Sequence, residues 1–278
     1  MKTYNIDLNK VNNFKNYLQE LTTEMILVFP RQNLTEKKLV ELCRQNGKFQ
    51  ITNIWCNHSE YPEIFRVTNK IIDEKNNKKG LFSGQNLDWH CNGHFSKDPE
   101  EVVVLYCVQP GIDSCTSYID GHAAFEALSA LDKKRILNST ITMCNVPKKT
   151  ILNQKVYDVN DYEQVELNKI WTRTRDGIEE KNKEIKFKKV SLIRKHPISG
   201  VHGLYFPFLN VTKISNDEDN SFFNFLVDHF LKFRYDHWWQ PGDLVIADQT
   251  MGLHKRNEIK GERELYRLAF WYEFNKNE

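Results

Sequence analysis

Residues 87–95 read Leu-Asp-Trp-His-Cys-Asn-Gly-His-Phe (LDWHCNGHF), and the rest of the chain is best read outward from them. On a strand, residues two apart share a face. His90 and Asn92 are then aimed at one spot, and Cys91 turns the other way into packing. If the strand continues, Asp88 and His94 share the His90 face. His94 there would contact a substrate or hydrogen-bond a neighbour. Imidazole is a common metal ligand. An asparagine oxygen can approach a metal only as a neutral donor, and its NH₂ cannot ligate. The stretch therefore predicts a metal position whose second ligand is an amide where a carboxylate is expected.

The surrounding sequence predicts a mainly β protein with flanking helices. EVVVLYCVQPG (101–111) is an apolar run closed by Pro-Gly, as in a buried strand. SCTSYID, KVSLIRKH, GLYFPF, DLVIAD and LYRLAFWYEF read as further strands. Many short strands separated by turn residues suggest a sandwich or jelly roll. Helices are predicted over NLTEKKLVELCRQNG, with a Thr35 cap and Gly47 as stop, and over YPEIFRVTNKIIDEKNNKKG. Two more are predicted over GHAAFEALSALDKKRIL, with Ala124, Leu128 and Leu131 on one face, and over DNSFFNFLVDHFLKFRYD. In the last, Phe222, Leu226, Phe230 and Phe233 recur at helical spacing and read as a core face. KFQITNIW reads as a strand. Trp89 and His237-Trp238-Trp239 read as packing, and Asp248 and Gln249 as the shape of a turn. One domain is expected over 1–278: a helical and strand lead-in at 1–84, a core at 85–146 and 188–275, and a polar insert or lid at 147–187.

Bulk properties exclude several classes. The 278 residues carry a formal charge of +2, so no global basic field argues for nucleic acid. No apolar run has the length of a membrane-spanning helix. The six cysteines (43, 56, 91, 107, 115 and 144) have no paired spacing and read as reduced thiols, which predicts a cytoplasmic protein. The partner expected is a small molecule, and the sequence does not give an oligomeric state.

Four features far apart in sequence fit one site: His90 with Asn92, Thr116, His254 and Arg267. Two histidines and one acidic ligand form the facial triad of non-haem iron(II) oxygenases, with open positions for a bidentate oxo acid and O₂. The far carboxylate of a dicarboxylate needs a cation, and arginine matches it with two prongs. A threonine hydroxyl can add a hydrogen bond.

Five motifs in order then resemble the TauD/TfdA group of iron(II)/2-oxoglutarate-dependent dioxygenases, in the clavaminate-synthase-like superfamily, over roughly residues 30–275. They are WHCNGHF, VQPGIDSCTSYIDGHAAFEAL, KHPISGVHGLYF, WWQPGDLVIADQTMGLH and GERELYRLAF. The resemblance implies a double-stranded β-helix. It implies iron(II), with 2-oxoglutarate and O₂ as co-substrates, and a small-molecule substrate such as an amino acid or related carboxylate. His90 and His254 would be metal ligands, Asn92 would stand at the place of the family's aspartate, and Arg267 with Thr116 would hold 2-oxoglutarate. The departure at Asn92 keeps two alternatives open: a catalytically impaired ligand-binding or scaffold descendant of the same fold, or altered iron chemistry such as halogenation.

Overall fold

A computed structural model describes residues 1–45, 47–51, 55–75, 78–80, 86–96, 99–145, 170–174, 177–181 and 186–273, with backbone only at 78, 170–174 and 177–181. Two sheets face each other. The larger has seven strands, in the order Lys2–Thr3, Ile26–Phe29, Leu244–Asp248, Val102–Gln109, Glu264–Tyr272 and Gly47–Phe49; Phe65–Thr68 also pairs with Glu264–Tyr272. The smaller has four, in the order Arg234–Trp238, Cys115–Ile119, Leu253–Arg256 and Leu87–His90. This is the expected mainly β, double-stranded β-helix architecture.

Alternation along the strands separates two cores. Leu27, Phe29, Val104, Leu244, Ile246, Leu268 and Phe270 face the helices Lys15–Glu24 and Glu36–Arg44, meeting Leu18, Leu21, Leu39 and Leu42. The neighbouring residues Ile26, Val28, Val245, Ala247, Cys107 and Leu265 face inward, toward Tyr118 and Trp239 of the smaller sheet. Strands buried on both faces read as continuous apolar runs, which is why ILVF and VVVLYC lack a polar alternation. A third core packs the helix Ser221–Leu231 through Phe222, Leu226 and Phe230 against Ile141, Phe206 and Trp89. Each such fully buried side chain contributes about 1.5–3 kcal/mol relative to exposure.

Several expectations hold at residue level. The Thr35 hydroxyl accepts from Lys38 N, as an N-cap should. All six cysteines are buried thiols outside any disulfide. Asp248 organises the turn before His254: it accepts from Thr250 N (2.7 Å), Tyr272 O–H (2.8 Å) and His196 Nε2–H (2.9 Å).

Others need correction. The helix expected from Tyr61 does not form; Phe65–Thr68 and Ile71–Asp73 are strands. Pairing overrides the helical spacing here, since Arg66 meets Glu264 across the ladder at 2.6 Å while Ile71 is 49% exposed. The single helix over 121–137 is two, Gly121–Glu126 and Ala130–Leu137, because Ser129 caps a new start by accepting from Asp132 N. Leu131 is accordingly exposed, off the face shared by Ala124 and Leu128. The strand expected over KFQITNIW is the short Gly47–Phe49, and residues 52–54 lie outside the described residues. Trp238 is exposed and does not pack, unlike Trp89 and Trp239. The insert lies largely outside the described residues; its described part includes a hairpin of Ile170–Thr174 with Gly177–Lys181. The lead-in supplies four of the seven strands of the larger sheet.

Candidate active site between the two sheets

The ladder of the smaller sheet assembles the first half of the site. His254 pairs with His90 on one side and with Tyr118 on the other. The His90 and His254 rings stand 4.2 Å apart, centroid to centroid. His90 Nδ1 lies 2.6 Å from the Asp88 carbonyl oxygen, which can only accept, so Nδ1 carries the proton and Nε2 the lone pair. A backbone carbonyl fixing the tautomer in this way is what metal-binding histidines normally have.

Asn92 is placed differently from the sequence expectation. The strand ends at His90, and Asn92 to Phe95 form a turn. Gly93 has φ +67, a left-handed conformation that glycine adopts without strain. Asn92 is half-buried in that turn, beside the histidine pair in sequence but off its strand. Among the described residues no third His, Cys, Asp or Glu joins the two histidines in a metal-capable group. Asp88 does not replace the missing carboxylate; its side chain is half-exposed and lies 3.8 Å from Lys255 Nζ. The imidazole pair therefore fits a metal, and the charged third ligand is absent from the described part of the site.

His94 is also in the turn, so it does not share the His90 face. Its Nδ1 sits 2.8 Å from the Cys91 carbonyl oxygen and 3.3 Å from Cys91 Sγ. Burial pushes the Cys91 thiol up, but the His94 charge and hydrogen bond outweigh it and leave the thiol below its ordinary value. Cys91 packs inward against Tyr205, whose ring carries Arg194 3.2 Å from its centroid.

The second half of the site lies further along the same interior. Thr116 pairs with Arg256 and with His237 in the ladder. Its hydroxyl oxygen accepts from Trp239 Nε1–H at 2.8 Å, which leaves its own proton to donate. Arg263, at the start of the last strand, is 1% exposed. Its Nε and Nη1 have no hydrogen-bond partner among the described residues, and neither has the buried Tyr118 hydroxyl. Burial and the nearby Arg256 charge, in that order, lower the Arg263 guanidinium to about 10. Buried polar groups are normally satisfied, so open donors here point to a ligand.

Arg267 is placed otherwise. Its Nη2 donates to Glu100 Oε2 in an ion pair whose side chains are 8% and 2% exposed. Sequence reasoning selected Arg267 and missed Arg263, Arg256 and Glu100. A signal existed for the arginines: Arg256 lies two residues past His254, and Arg263 four before Arg267, so each shares a face with a residue already selected. Glu100 enters from a loop and carried no such signal.

Comparison with known proteins agrees with this architecture. The chain is 25% identical to pentalenolactone F synthase of Streptomyces arenae over 220 residues, 76% of this chain and 69% of that one. It is 25% identical to 3-((Z)-2-isocyanoethenyl)-1H-indole synthase of Fischerella ambigua (strain UTEX 1903) over 272 residues, 90% and 84% of the two chains. Among solved structures it is similar in fold to AAD-2 in complex with Mn(II) and N-oxalylglycine, with a TM-score of 0.64, 18% identity, and 96% and 91% of the chains covered. The model of the family described as "Taurine catabolism dioxygenase TauD, TfdA family" matches residues 2–269. With nearly its whole length matched, the chain belongs to this family of 2-oxoglutarate-dependent dioxygenases.

Proposed function

We propose that this protein is an iron(II)/2-oxoglutarate-dependent oxygenase that oxidises a small molecule, with His90 and His254 as its metal ligands and Asn92 as a weak neutral third donor. The observation that carries the reading is the open Arg263 guanidinium, buried in the same interior as a histidine pair. A 2-oxo dicarboxylate has one end for each. Its 2-oxo acid end suits the metal at the histidines. Its distal carboxylate suits Arg263, with the Thr116 and Tyr118 hydroxyls as further donors. On this reading Arg263, rather than Arg267, is the clamp.

When bound, the iron and its co-substrate supply the oxidising chemistry with O₂. The chain's own residues do the rest. Asp88 holds the His90 ring by its Nδ1 proton. Trp239 holds Thr116 in place. Leu105, Val245 and Leu265 exclude water around the clamp, which strengthens every charge interaction inside. Arg267 and Glu100 form a buried ion pair on the larger-sheet side and brace the wall beside the clamp.

The test is an anaerobic titration of iron(II) with 2-oxoglutarate, following the visible charge-transfer band of the chelate. A band saturating near one iron per chain is expected, with 2-oxoglutarate then consumed in step with product. The reading fails if no chelate forms and none returns when Asn92 is replaced by aspartate. One observation favours a second reading, a ligand-binding descendant: no carboxylate joins the histidine pair among the described residues. In that case 2-oxoglutarate binds and is never consumed.

A further inference from the structure

His90 and His254 are joined by a ladder that is irregular next to the pair itself. Leu87–His90 is an edge strand of the smaller sheet, and its pairing with Leu253–Arg256 shifts register just beyond the His254–His90 step. Such a shift leaves a residue unpaired and bends the strand. Irregular chain also adjoins each histidine: residues 249–252 precede the His254 strand, and residues 91–95 follow His90. A third element touches both segments. The ribbon of Ile193–Lys195 with His202–Leu204 belongs to neither main sheet and pairs Arg194 with Gly203. Directly opposite residues of an antiparallel pair share a face, and this face meets residues 249–252. Arg194 Nη1 donates to the Thr250 carbonyl oxygen at 3.0 Å. Gly203 leaves the space that Met251 fills, since a Cβ there would run into Met251 Sδ. One residue past the ribbon, His196 Nε2 donates to Asp248 Oδ2 at 2.9 Å. In the other direction, the Arg194 guanidinium stands 3.2 Å from the centroid of the Tyr205 ring, and the Tyr205 hydroxyl lies 3.6 Å from Cys91 Sγ, next to His90. One side chain thus reaches the turn before His254 and, through Tyr205, the residue after His90.

We propose that Arg194 is a positioning residue of the histidine pair: it ties the turn before His254 to the residue after His90 and so holds the two imidazoles at the spacing that a metal ion needs. This rests on the reading of His90 and His254 as metal ligands. It adds a residue that lies on neither ligand strand, and it gives the ribbon a role. A guanidinium suits the task by its shape. Its plane stacks on a ring while an N–H at its edge donates to a carbonyl. A lysine ammonium brings charge and donors but no plane, so it does one of the two things at a time. Asn92 offers only a neutral donor, so the preorganisation of the two imidazoles carries more of the metal affinity.

The experiment is Mn(II) titration of the wild type and Arg194→Ala, with N-oxalylglycine present throughout and free Mn(II) followed by its electron paramagnetic resonance. Circular dichroism melts of both proteins accompany it. Saturable wild-type binding near one Mn(II) per chain is expected. Arg194→Ala should melt cooperatively yet bind Mn(II) about tenfold or more weakly, the loss typical when a group that orients metal ligands is removed. Millimolar guanidinium should restore most of that affinity in Arg194→Ala and leave the wild type unchanged, and Arg194→Lys should keep part of it. A merely structural role predicts a lower melting temperature and no such rescue. A wild type that binds no Mn(II) overturns the metal reading and this proposal with it. Wild-type binding with unchanged affinity in folded Arg194→Ala overturns the positioning role alone, as does a loss that neither guanidinium nor lysine restores. If Arg194→Ala does not fold, Arg194→Lys and Gly203→Ala decide, the second crowding Met251 from the opposite strand. Each should bind Mn(II) more weakly than the wild type, and wild-type affinity in either overturns the proposal.

Discussion

The two ends of the interior between the sheets are built on opposite principles. At the histidine end the strand stops at His90, the chain turns at Gly93, and the amide of Asn92 lies on that turn. At the arginine end every participant sits on or beside a paired strand: Thr116 opposite Arg256, Trp239 donating to Thr116, and Arg263 opening the last strand. One end is poor in negative charge and the other rich in positive charge. The difference teaches that the arginine end is held by the framework of the fold, whereas the histidine end runs out into a loop.

The contrast can be broken outright by removing one end at a time. His254→Ala should abolish Mn(II) binding, since only one imidazole of the pair is left. Metal-free N-oxalylglycine binding should persist in that variant. Arg263→Gln should do the reverse to the dicarboxylate, losing it below detection by calorimetry. If both variants lose both ligands equally, the two ends are not separable.

A second test concerns the ion pair of the larger sheet. Glu100→Ala leaves the buried Arg267 guanidinium without its carboxylate. Removing one partner of a buried pair typically costs about 3–5 kcal/mol. Urea unfolding followed by tryptophan fluorescence should show a loss of that size. A loss under about 1 kcal/mol would mean that the pair is solvated in solution, as exposed pairs are.

The histidine end can be sharpened by restoring its charge. Asn92→Asp should raise Mn(II) affinity by at least about tenfold, since changes in the shell around the ligands alone alter affinity by about 10–100-fold. It should also make metal binding less dependent on the dicarboxylate. Metal titration with and without N-oxalylglycine reads both effects. An Asn92→Asp protein whose metal affinity equals the wild type would show that the turn holds position 92 away from the metal.

Most of the scaffold was legible because apolar runs and turn residues report local physics. Val102–Gln109, Leu244–Asp248 and Glu264–Tyr272 announced themselves as strands, and Phe222, Leu226 and Phe230 announced a helix face. The segment after Tyr61 misled because its apolar spacing suits a helix, while the decisive interaction, Arg66 with Glu264, lies 198 residues away. Strand placement was legible where motif and strand coincide, at His90, His254 and Thr116. It was illegible at Glu100, which comes from a loop. It was misread at Asn92 and His94, because the strand was extended past the turn that Gly93 permits. Choosing between Arg263 and Arg267 needed a third dimension: only the fold shows which guanidinium already has a carboxylate.

The smallest effect expected separates the framework from the ligands by pH. Asp243 is 3% exposed and lies under the arginine end, with Oδ2 3.2 Å from His237 Nε2. It also accepts from the backbone N–H groups of Arg31 and Gln240, at 3.1 and 3.0 Å. Cys107 and Tyr235 are its other titratable neighbours. Burial alone would raise its carboxyl, but the adjacent His237 ring and the backbone donors outweigh burial and hold it below its ordinary value. A carboxylate depressed in the folded state stabilises the protein fully above its unfolded value of about 4. That contribution disappears as pH falls from about 4 through the lower folded value. In His237→Gln the folded value rises toward the ordinary one, so the slope of stability against pH below about 4 should flatten. Thermal melts of the two proteins between about pH 5 and 2 measure this slope. Parallel curves would assign the depression to the Arg31 and Gln240 amides and leave His237 as packing against Trp239, whose ring lies 4.4 Å from its own.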